Sequence, residues 1–505
     1  MAQAENLPAV LSKSKERGII CLLCLISAVH AFIFSAALPF FSIVDEQAHF
    51  DLVVRYSQGD IPRSIDPTCD EAIPYIAIYG TPEIFWPLSA FPNGQIRPPP
   101  WDQPMGQAKS SLLTSEEYWG KAKNHEAAQP PLYYALAGAW WRVGQACGLH
   151  DGFLLYTVRF LNVFFIAALV WLGYAAARLI FPDRIFLRLG VPALLALLPQ
   201  SDFYSIENDV LSPLCFGLVF VCVLRLWRED VPRVGLGIAA GLAFGAAYLA
   251  KISNLPLLAV ALAAMLFKTW QLRQAGKLRA ASPSLLAFIL CAGLPIAGWA
   301  MRTRHFFGDF TGSTAKIQIL GWTLKPFSQW WHHPVFTPHG LWEFVSGLLA
   351  TFWQGEFMWH HQPLTLPAVN TLYVIVSIGF VAMALVSLST GFKAVTGFQR
   401  QALWFAFGSF AAGVAFLGFL SIIYDFHDCF YPSRQHPYFT SGRLIGGALI
   451  PFLLLFAYGM DRVLAPAKSA WARPLALIAM LLFMLISEIV TDWPVFPCQY
   501  NWYHM

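Results

Sequence analysis

The stretch VDEQAHFDLVVRYSQGDIPR (Val44–Arg63) follows the first long apolar run of the chain, and the rest of the sequence is organised around it. It places two adjacent carboxylates, Asp45 and Glu46, at the mouth of a predicted membrane helix, and His49 comes one helical turn after Asp45. Acidic residues at such a position are costly and usually have a function. We therefore expect a membrane body that brings substrates to this stretch.

The composition indicates a membrane protein built from helices. Hydrophobic residues make up 57% of the 505 residues and charged residues only 12%, and long apolar runs recur along the chain. The net charge of +4 is small and spread over loops, so we expect membrane lipids and no nucleic acid as partners. Cys69, Cys429 and Cys498 fall in predicted outer segments, where a disulfide of undefined pairing is possible.

Basic residues predict the topology, because they collect on the cytoplasmic side of membrane proteins. Lys13, Lys15 and Arg17 precede the apolar run 18–41, so the N-terminus is predicted to be cytoplasmic. A cleaved signal peptide is the rival interpretation, but the run exceeds the usual apolar core of about 7–15 residues. Every predicted inner turn is basic, and the C-terminus is predicted to lie outside.

The predicted architecture is an all-α polytopic membrane protein with about eleven transmembrane helices. Its parts are a cytoplasmic N-terminus (1–17), the first helix (18–41), a large outer, periplasmic loop (42–157), helices two to seven (158–300), a second outer segment (301–367), helices eight to eleven (368–490) and an outer tail (491–505). Spans two to eleven are predicted at 158–180, 189–204, 213–226, 235–250, 255–267, 285–300, 368–388, 401–424, 443–459 and 475–490.

The large outer loop is predicted to contain helices that lie along the membrane interface. Pro130 and Pro131 mark the start of an amphipathic helix that carries Trp140, Trp141 and Arg142, residues suited to headgroup depth. A true membrane span at this place is the alternative.

Several short motifs resemble the GT-C superfamily of membrane glycosyltransferases, which take sugars from polyprenyl-phosphate carriers. VDEQAHF (Val44–Phe50) is similar to the Asp-Glu element that these proteins place after the first membrane helix. QPPLYY (Gln129–Tyr134) resembles an element later in their first outer loop, with Gln129 where His is common. RFLN, which begins at Arg159, loosely resembles the start of their second membrane helix.

The chain also resembles a bacterial family of predicted multi-pass membrane proteins of unassigned function. The similar segments are DEQAHF, RHFFGD (Arg304–Asp309), ATFWQGEFMW (Ala350–Trp359) and SGRLIGGALIP (Ser441–Pro451). Together the two resemblances cover most of the chain. They imply a GT-C-like fold in the bacterial inner membrane.

Transfer of a sugar from a lipid phosphate needs a base for the acceptor proton and positive charge for the leaving phosphate. Asp45 and Glu46 are the predicted catalytic residues, and Asp45 is preferred because it matches the position implied by the resemblance. Adjacent residues point roughly 100° apart on a helix. One carboxylate would then face the site, and the other would cap the helix or bind an arginine.

The predicted substrate-binding residues are His49, Gln129, Tyr133, Arg302, Arg304 and Arg443. His49 follows Asp45 at i+4, so the two could also hold a divalent metal; the sequence identifies no certain cofactor and leaves metal dependence open. Arg443 opens a predicted helix at the outer face, where anions are favoured, although arginines at such places also reach to lipid headgroups. The outer acids Glu207, Asp209 and Glu356 could join the site.

The sequence therefore favours an inner-membrane glycosyltransferase that moves a sugar from a polyprenyl-phosphate-type donor to a cell-surface glycan or lipid acceptor. Two alternatives stay open. One is a transporter or flippase of lipid-linked glycans, for which the break KISN (Lys251–Asn254) is the single hint. The other is a non-catalytic assembly factor, which would tolerate loss of the outer carboxylates.

Overall fold

The structure, a computed structural model, describes residues 12–42, 45–80, 89, 98–390, 395–429 and 431–505, so Val44 of the opening stretch lies outside it. The α-helices are α1 Lys13–Ala37, α2 Glu46–Ser57, α3 Ile73–Tyr79, α4 Met105–Trp119, α5 Leu132–Ala146, α6 Asp151–Ile180, α7 Ile185–Ala196, α8 Leu211–Arg228, α9 Val234–Ala250, α10 Leu255–Gln274, α11 Leu278–Phe307, α12 Ser313–Ile319, α13 Phe327–Trp330, α14 Pro338–Gln354, α15 Pro367–Ser389, α16 Gly397–Ile423, α17 Leu449–Val463 and α18 Ala472–Asp492. Two short antiparallel ladders join β1 (Thr323–Leu324) to β4 (Tyr424–Asp425) and β2 (Met358–Trp359) to β3 (Gln362–Pro363).

The prediction of a helical membrane protein is confirmed. In the described part of the chain, nine helical segments are long and apolar enough to cross a membrane: α1, α6, α8, α11, α15, α16, Ile252–Gln274, Gly442–Val463 and Ala472–Val495. The remaining two predicted spans coincide with α7 and α9, which are apolar but only 12 and 17 residues long. The count of eleven spans therefore stays a prediction, as do the sidedness of the termini and the boundaries of the outer segments.

Helix α7 is shorter than the span predicted at 189–204. It ends at Ala196, and the chain continues into a 3-10 turn at Ser201–Tyr204. Pro199 explains this early end, because the residue before a proline disfavours the helical conformation. Residues 200–202 are consequently a buried loop and not the last turn of a span.

Helix α17 lies at the centre of the bundle. Its residues from Leu449 to Asp461 are all buried, and α15 packs closely against it. A Cβ at Gly459 would lie 1.8 Å from the carbonyl oxygen of Phe380, so the two backbones touch at this glycine. This packing anchors the segment that precedes α17, a 3-10 helix at Gly442–Ala448.

The large outer loop folds against the bundle through α2 and α5. Helix α5 begins at Leu132, directly after the two prolines, as the sequence predicts. Its Arg142 Nε donates to the carbonyl oxygen of Ser57 at 2.8 Å, which ties α5 to the end of α2. Helix α6 begins at Asp151, before the predicted start of the second span at residue 158. The interfacial position of α5 stays a prediction.

Candidate functional site

Arg443 lies in the 3-10 helix before α17, not at the start of an α-helix as predicted. The neighbouring Gly442 fixes its position: the Gly442 N–H donates to Thr351 Oγ1 at 2.9 Å, and a Cβ there would lie 2.1 Å from the backbone nitrogen of Phe352. Only glycine permits this approach to the end of α14. The close contact fixes the backbone of the segment that carries Arg443 against the end of α14.

Four carboxylates surround the Arg443 guanidinium, and we call these five residues the Arg443 cluster. Its Nη2 lies 3.0 Å from Asp45, its Nη1 lies 2.8 Å from Glu207 and 3.4 Å from Asp209, and its Nε lies 3.0 Å from Glu356. The structure thus brings together residues that the sequence placed in four separate outer segments. The N–H groups of a guanidinium lie in one plane, and here all three nitrogens contact carboxylates. These contacts orient the guanidinium plane.

Asp45 reaches the cluster because of its backbone conformation. It is the residue before α2, has φ 71°, and makes no capping hydrogen bond with its side chain. One carboxylate oxygen accepts a hydrogen bond from His125 Nε2 at 3.0 Å and the other faces Arg443. Burial alone would raise the pKa of Asp45, but the charges of His125, Arg443 and Lys316 hold that pKa well below its usual value.

Glu46 points away from the cluster into the bundle. Its two oxygens lie 2.8 and 2.7 Å from Nε and Nη2 of Arg159, and they also accept backbone N–H groups of Phe41 at 2.6 Å and Ile206 at 2.9 Å. Both side chains of this pair are fully buried. Of the two adjacent carboxylates, Asp45 therefore faces the site and Glu46 binds an arginine.

His125, Glu126 and Lys316 extend the site on the side of Asp45, and sequence reasoning did not single them out. His125 Nε2 lies 3.5 Å from a Glu126 oxygen, and the Lys316 ammonium forms an ion pair with Glu126. Burial would raise the pKa of Glu126, but Lys316 and His125 lower it strongly. The available signal was their position in the sequence, because only two alanines separate His125 and Glu126 from the QPPLYY element.

His125, not His49, is the histidine beside Asp45. His49 Nδ1 lies 2.6 Å from the Tyr134 hydroxyl, and burial lowers the pKa of His49 to about 4, so its ring is neutral. Potential metal ligands on Asp45, His125 and Glu126 lie within 4.8 Å of one another. These three residues could coordinate a divalent ion, which would compete with the ammonium group of Lys316 for Glu126.

Gln129 connects Glu126 to Asn208, the residue between Glu207 and Asp209 of the Arg443 cluster. Gln129 Nε2 donates to Glu126 at 2.5 Å, and its oxygen accepts from Asn208 Nδ2 at 3.3 Å. Tyr133 is fully buried.

The KISN break is the turn between α9 and α10, and it places Lys251 in an ion pair with Asp209. The positive charge of Lys251 therefore belongs to the site.

Arg302 and Arg304 lie outside this arrangement. Helix α11 continues to Phe307, beyond the predicted end at residue 300, so both arginines are on its last turns. Arg302 donates to the carbonyl oxygen of Pro62 at 2.6 Å and stacks on Trp299, whereas Arg304 is exposed and stacks on Phe310. The structure does not bring either residue into contact with the Arg443 cluster.

Comparison with known families identifies the class of membrane protein. The family described as predicted membrane protein (DUF2142) matches residues 29–424. The chain belongs to this family. The match includes Asp45, His125, Lys316 and Glu356 and ends before Arg443. The resemblance to predicted membrane proteins of unassigned function is thereby confirmed. No curated protein sequence matches this DUF2142 member.

Several solved membrane-protein structures are similar to this DUF2142 protein at low identity. The Archaeoglobus fulgidus oligosaccharyltransferase tethered with an acceptor peptide has 11% identity and a TM-score of 0.43, with 96% of this chain and 55% of that chain covered. ArnT from Cupriavidus metallidurans bound to undecaprenyl phosphate has 13% identity and a TM-score of 0.30, with 94% and 87% covered. The chain thus spans about half the length of the oligosaccharyltransferase.

Proposed function

We propose that this DUF2142 protein is a glycosyltransferase of the bacterial inner membrane. It moves a sugar from a polyprenyl-phosphate-type donor to a cell-surface glycan or lipid acceptor at the outer face. The observation that carries this proposal is the 3.0 Å contact between Asp45 and Arg443. A candidate base and a candidate phosphate-binding cation lie side by side among apolar helices, which is where a lipid-linked donor would present its phosphate.

Asp45 is the proposed base because a substrate can reach it. Its side chain is 19% exposed, whereas those of Glu207 and Asp209 are 0% and 2% exposed. In the proposed step the acceptor oxygen attacks the anomeric carbon of the donor, and Asp45 takes the acceptor proton. The bond between the anomeric carbon and the phosphate oxygen breaks, and the phosphate leaves with the electron pair.

Arg443 is the proposed partner of the leaving phosphate. A guanidinium offers several N–H donors in a fixed plane and binds phosphate oxygens in pairs. In the structure His125 and, to a smaller extent, Arg443 hold the pKa of Asp45 down. A donor phosphate that replaces Asp45 at Arg443 Nη2 would remove the Arg443 part of this positive charge, so the pKa of Asp45 would rise and Asp45 would become a stronger base. Binding of the donor would therefore activate the base at the moment when it is needed.

The other predicted site residues have positioning roles in this proposal. The Glu46–Arg159 pair holds the start of α2 against α6, so that Asp45 faces Arg443. The buried His49 and Tyr133 and the half-buried Gln129 are proposed to support the acceptor side of the site from behind its surface. Arg302 and Arg304, which lie outside the site, are proposed to reach lipid headgroups. A transporter is less favoured because the KISN segment is an ordinary turn between two helices.

The test of the proposal is a matched pair of variants in the native organism. Asp45→Asn should reduce the sugar content of the affected surface glycan by about a hundredfold or more, as expected for loss of a general base. Asp425→Asn, which removes an outer carboxylate paired with Arg434, should leave the glycan unchanged. Normal glycan in an Asp45→Asn strain with normal protein level would contradict the proposal.

A further inference from the structure

Three arginines surround one carboxylate at the end of the bundle that is predicted to be cytoplasmic. The carboxylate is Asp461, a buried residue on the last turn of the central helix α17. Its Oδ1 lies 2.7 Å from Arg473 Nε, and its Oδ2 lies 3.3 Å from Arg184 Nη1 and also contacts Arg462 Nη2. We call these four residues the Asp461 cluster. It combines three positive charges with one negative charge.

The single carboxylate does not neutralise this group of arginines. Arg462 and Arg473 have no second acidic partner among the described residues, and the exposed Asp183 forms no ion pair with any described side chain. Burial and then the charge of Arg462 lower the pKa of Arg184, and the attraction to Asp461 offsets them only in part. Positive charges held this close to one another are stabilised when an anion binds among them.

Arg473 has hydrogen-bond donors left for a ligand. It contacts Asp461 through Nε, and its two Nη groups have no hydrogen-bond partner within the described part of the chain. Its side chain is 34% exposed. A guanidinium binds phosphate oxygens through pairs of N–H groups. Asp461 therefore holds one edge of Arg473, and the remaining donors can reach an anion.

The position of Arg473 in its helix also favours an anion. Arg473 is the second residue of α18, whose first turn contains no acidic residue and no side-chain cap. The N-terminus of a helix attracts negative charge, so an arginine there adds to the positive potential instead of balancing it. The basic residues of inner loops follow the usual bias of membrane proteins, but that bias does not require three arginines to converge on one buried acid.

Helix α18 faces lipid over most of its surface. In the segment Ala472–Val495, only 28% of the most apolar window is buried within the protein, so acyl chains contact the rest. Trp471, directly before α18, is 70% exposed, and tryptophan is typical of headgroup depth. A phospholipid would use both the Asp461 cluster and this apolar surface, whereas a soluble anion would gain nothing from the apolar surface.

We propose that the Asp461 cluster binds the phosphate of an anionic phospholipid, with Arg473 as its main contact. The three arginines and the N-terminus of α18 supply the positive potential, and Asp461 orients the guanidiniums. Each basic residue near a membrane surface strengthens the binding of anionic lipid about fivefold. The lipid belongs to the predicted cytoplasmic leaflet, and its binding is independent of the proposed sugar transfer at the outer face.

The first test measures lipid binding to the full chain in detergent by native mass spectrometry. Phosphatidylglycerol and phosphatidylcholine with identical acyl chains are titrated separately, and the wild type should bind the first phosphatidylglycerol at least about fivefold more tightly. Arg473→Gln should remove this preference, and Arg473→Lys should keep most of it because the charge remains. Arg279→Gln is the matched control, since Arg279 is the second residue of α11, is exposed and forms no ion pair with a described residue. Its preference should equal that of the wild type.

Thermal unfolding of the wild type gives a second measurement that needs no variant. Phosphatidylglycerol should raise the unfolding temperature by roughly 1–3 °C more than phosphatidylcholine does. Equal effects and equal binding of the two lipids would overturn the proposal, as would an undiminished preference in monodisperse Arg473→Gln. Displacement of bound phosphatidylglycerol by an equal concentration of inorganic phosphate would overturn it in favour of a site for a soluble anion.

Discussion

Asp45 and Arg443 are 398 residues apart in the chain, yet Asp45 Oδ2 accepts a hydrogen bond from Arg443 Nη2 at 3.0 Å. This contact joins the start of the first outer loop to the segment before the central helix α17. The contact between Asp45 and Arg443 is possible for two reasons. Gly442 packs that segment closely against the end of α14, and Asp45 adopts a positive φ. Neither the Gly442 contact nor the positive φ of Asp45 can be read from a short sequence motif.

Arg443→Lys should weaken the use of a lipid-linked donor while the chain stays folded. Lysine supplies a point charge but cannot reproduce the planar set of N–H donors that contacts Asp45, Glu207 and Glu356. We expect the KM for the donor to rise about tenfold or more, with little change in the KM for the acceptor. Steady-state kinetics in detergent would measure both constants.

Arg434→Lys serves as the control for that variant, because Arg434 is exposed and pairs with Asp425 away from the cluster. Its kinetics should match those of the wild type. An Arg443→Lys protein with an unchanged donor KM would show that Arg443 does not bind the donor phosphate.

Glu46→Gln should destabilise the protein without acting on the site directly. The change leaves the fully buried Arg159 guanidinium without its negative partner. Breaking one side of a buried pair costs about 3–5 kcal/mol, and the loss should appear as a lower thermal unfolding temperature. Removal of both charges, in Glu46→Gln with Arg159→Gln, should cost clearly less than the sum of the single changes. Additive losses would argue against the pair.

The stability of the protein should fall at alkaline pH because of His125. Burial by itself would lower the pKa of His125, but the charge and hydrogen bond of Asp45, with Glu126, raise it above 6.5. A raised pKa in the folded state gives stabilisation that is complete below about pH 6.5 and is lost as the pH rises through the folded pKa.

His125→Gln should therefore flatten the dependence of unfolding temperature on pH above about 6.5. His150→Gln is the matched control, because His150 forms an exposed pair with Asp151 and should leave the profile unchanged. A profile that keeps its full slope in His125→Gln would assign the pH dependence to another group.

Lys316→Gln should destabilise the outer segment more than a comparable change at the surface. Lys316 pairs with the buried Glu126, and its loss leaves a buried carboxylate with less positive charge nearby. We expect a cost of about 1–3 kcal/mol, reduced by the partial exposure of the lysine. Lys121→Gln, in an exposed pair with Glu117, should have little effect on stability, because solvent screens the pair. Thermal unfolding of both variants would measure the difference.

The membrane helices could be predicted from the sequence because hydrophobicity is a local property. The span predicted at 401–424, for example, is a long apolar run, and it corresponds to α16 (Gly397–Ile423). Helix ends were less predictable where proline or a polar turn intervenes, as at Pro199 after α7 and at the 3-10 segment before α17. These ends depend on backbone geometry that composition does not reveal.

The members of the site were only partly predictable. Asp45, Arg443, Glu207, Asp209 and Glu356 stood out because charges beside membrane spans are costly. His125 and Lys316 did not stand out, because a polar residue in a polar loop has no periodic or compositional signal. Arg302 and Arg304 met the same criterion as Arg443 but lie elsewhere, since α11 extends past its predicted end.

By itself the sequence determined that this protein is a bundle of apolar helices with two adjacent acids where the first helix ends. Only the tertiary structure decided what each acid does. Asp45 has φ 71° and turns to His125 and Arg443, whereas Glu46 is held inside the bundle by Arg159. The reason is physical: a charge buried among apolar helices must find its partner in space, and both partners of Asp45, like Arg159, come from distant parts of the chain.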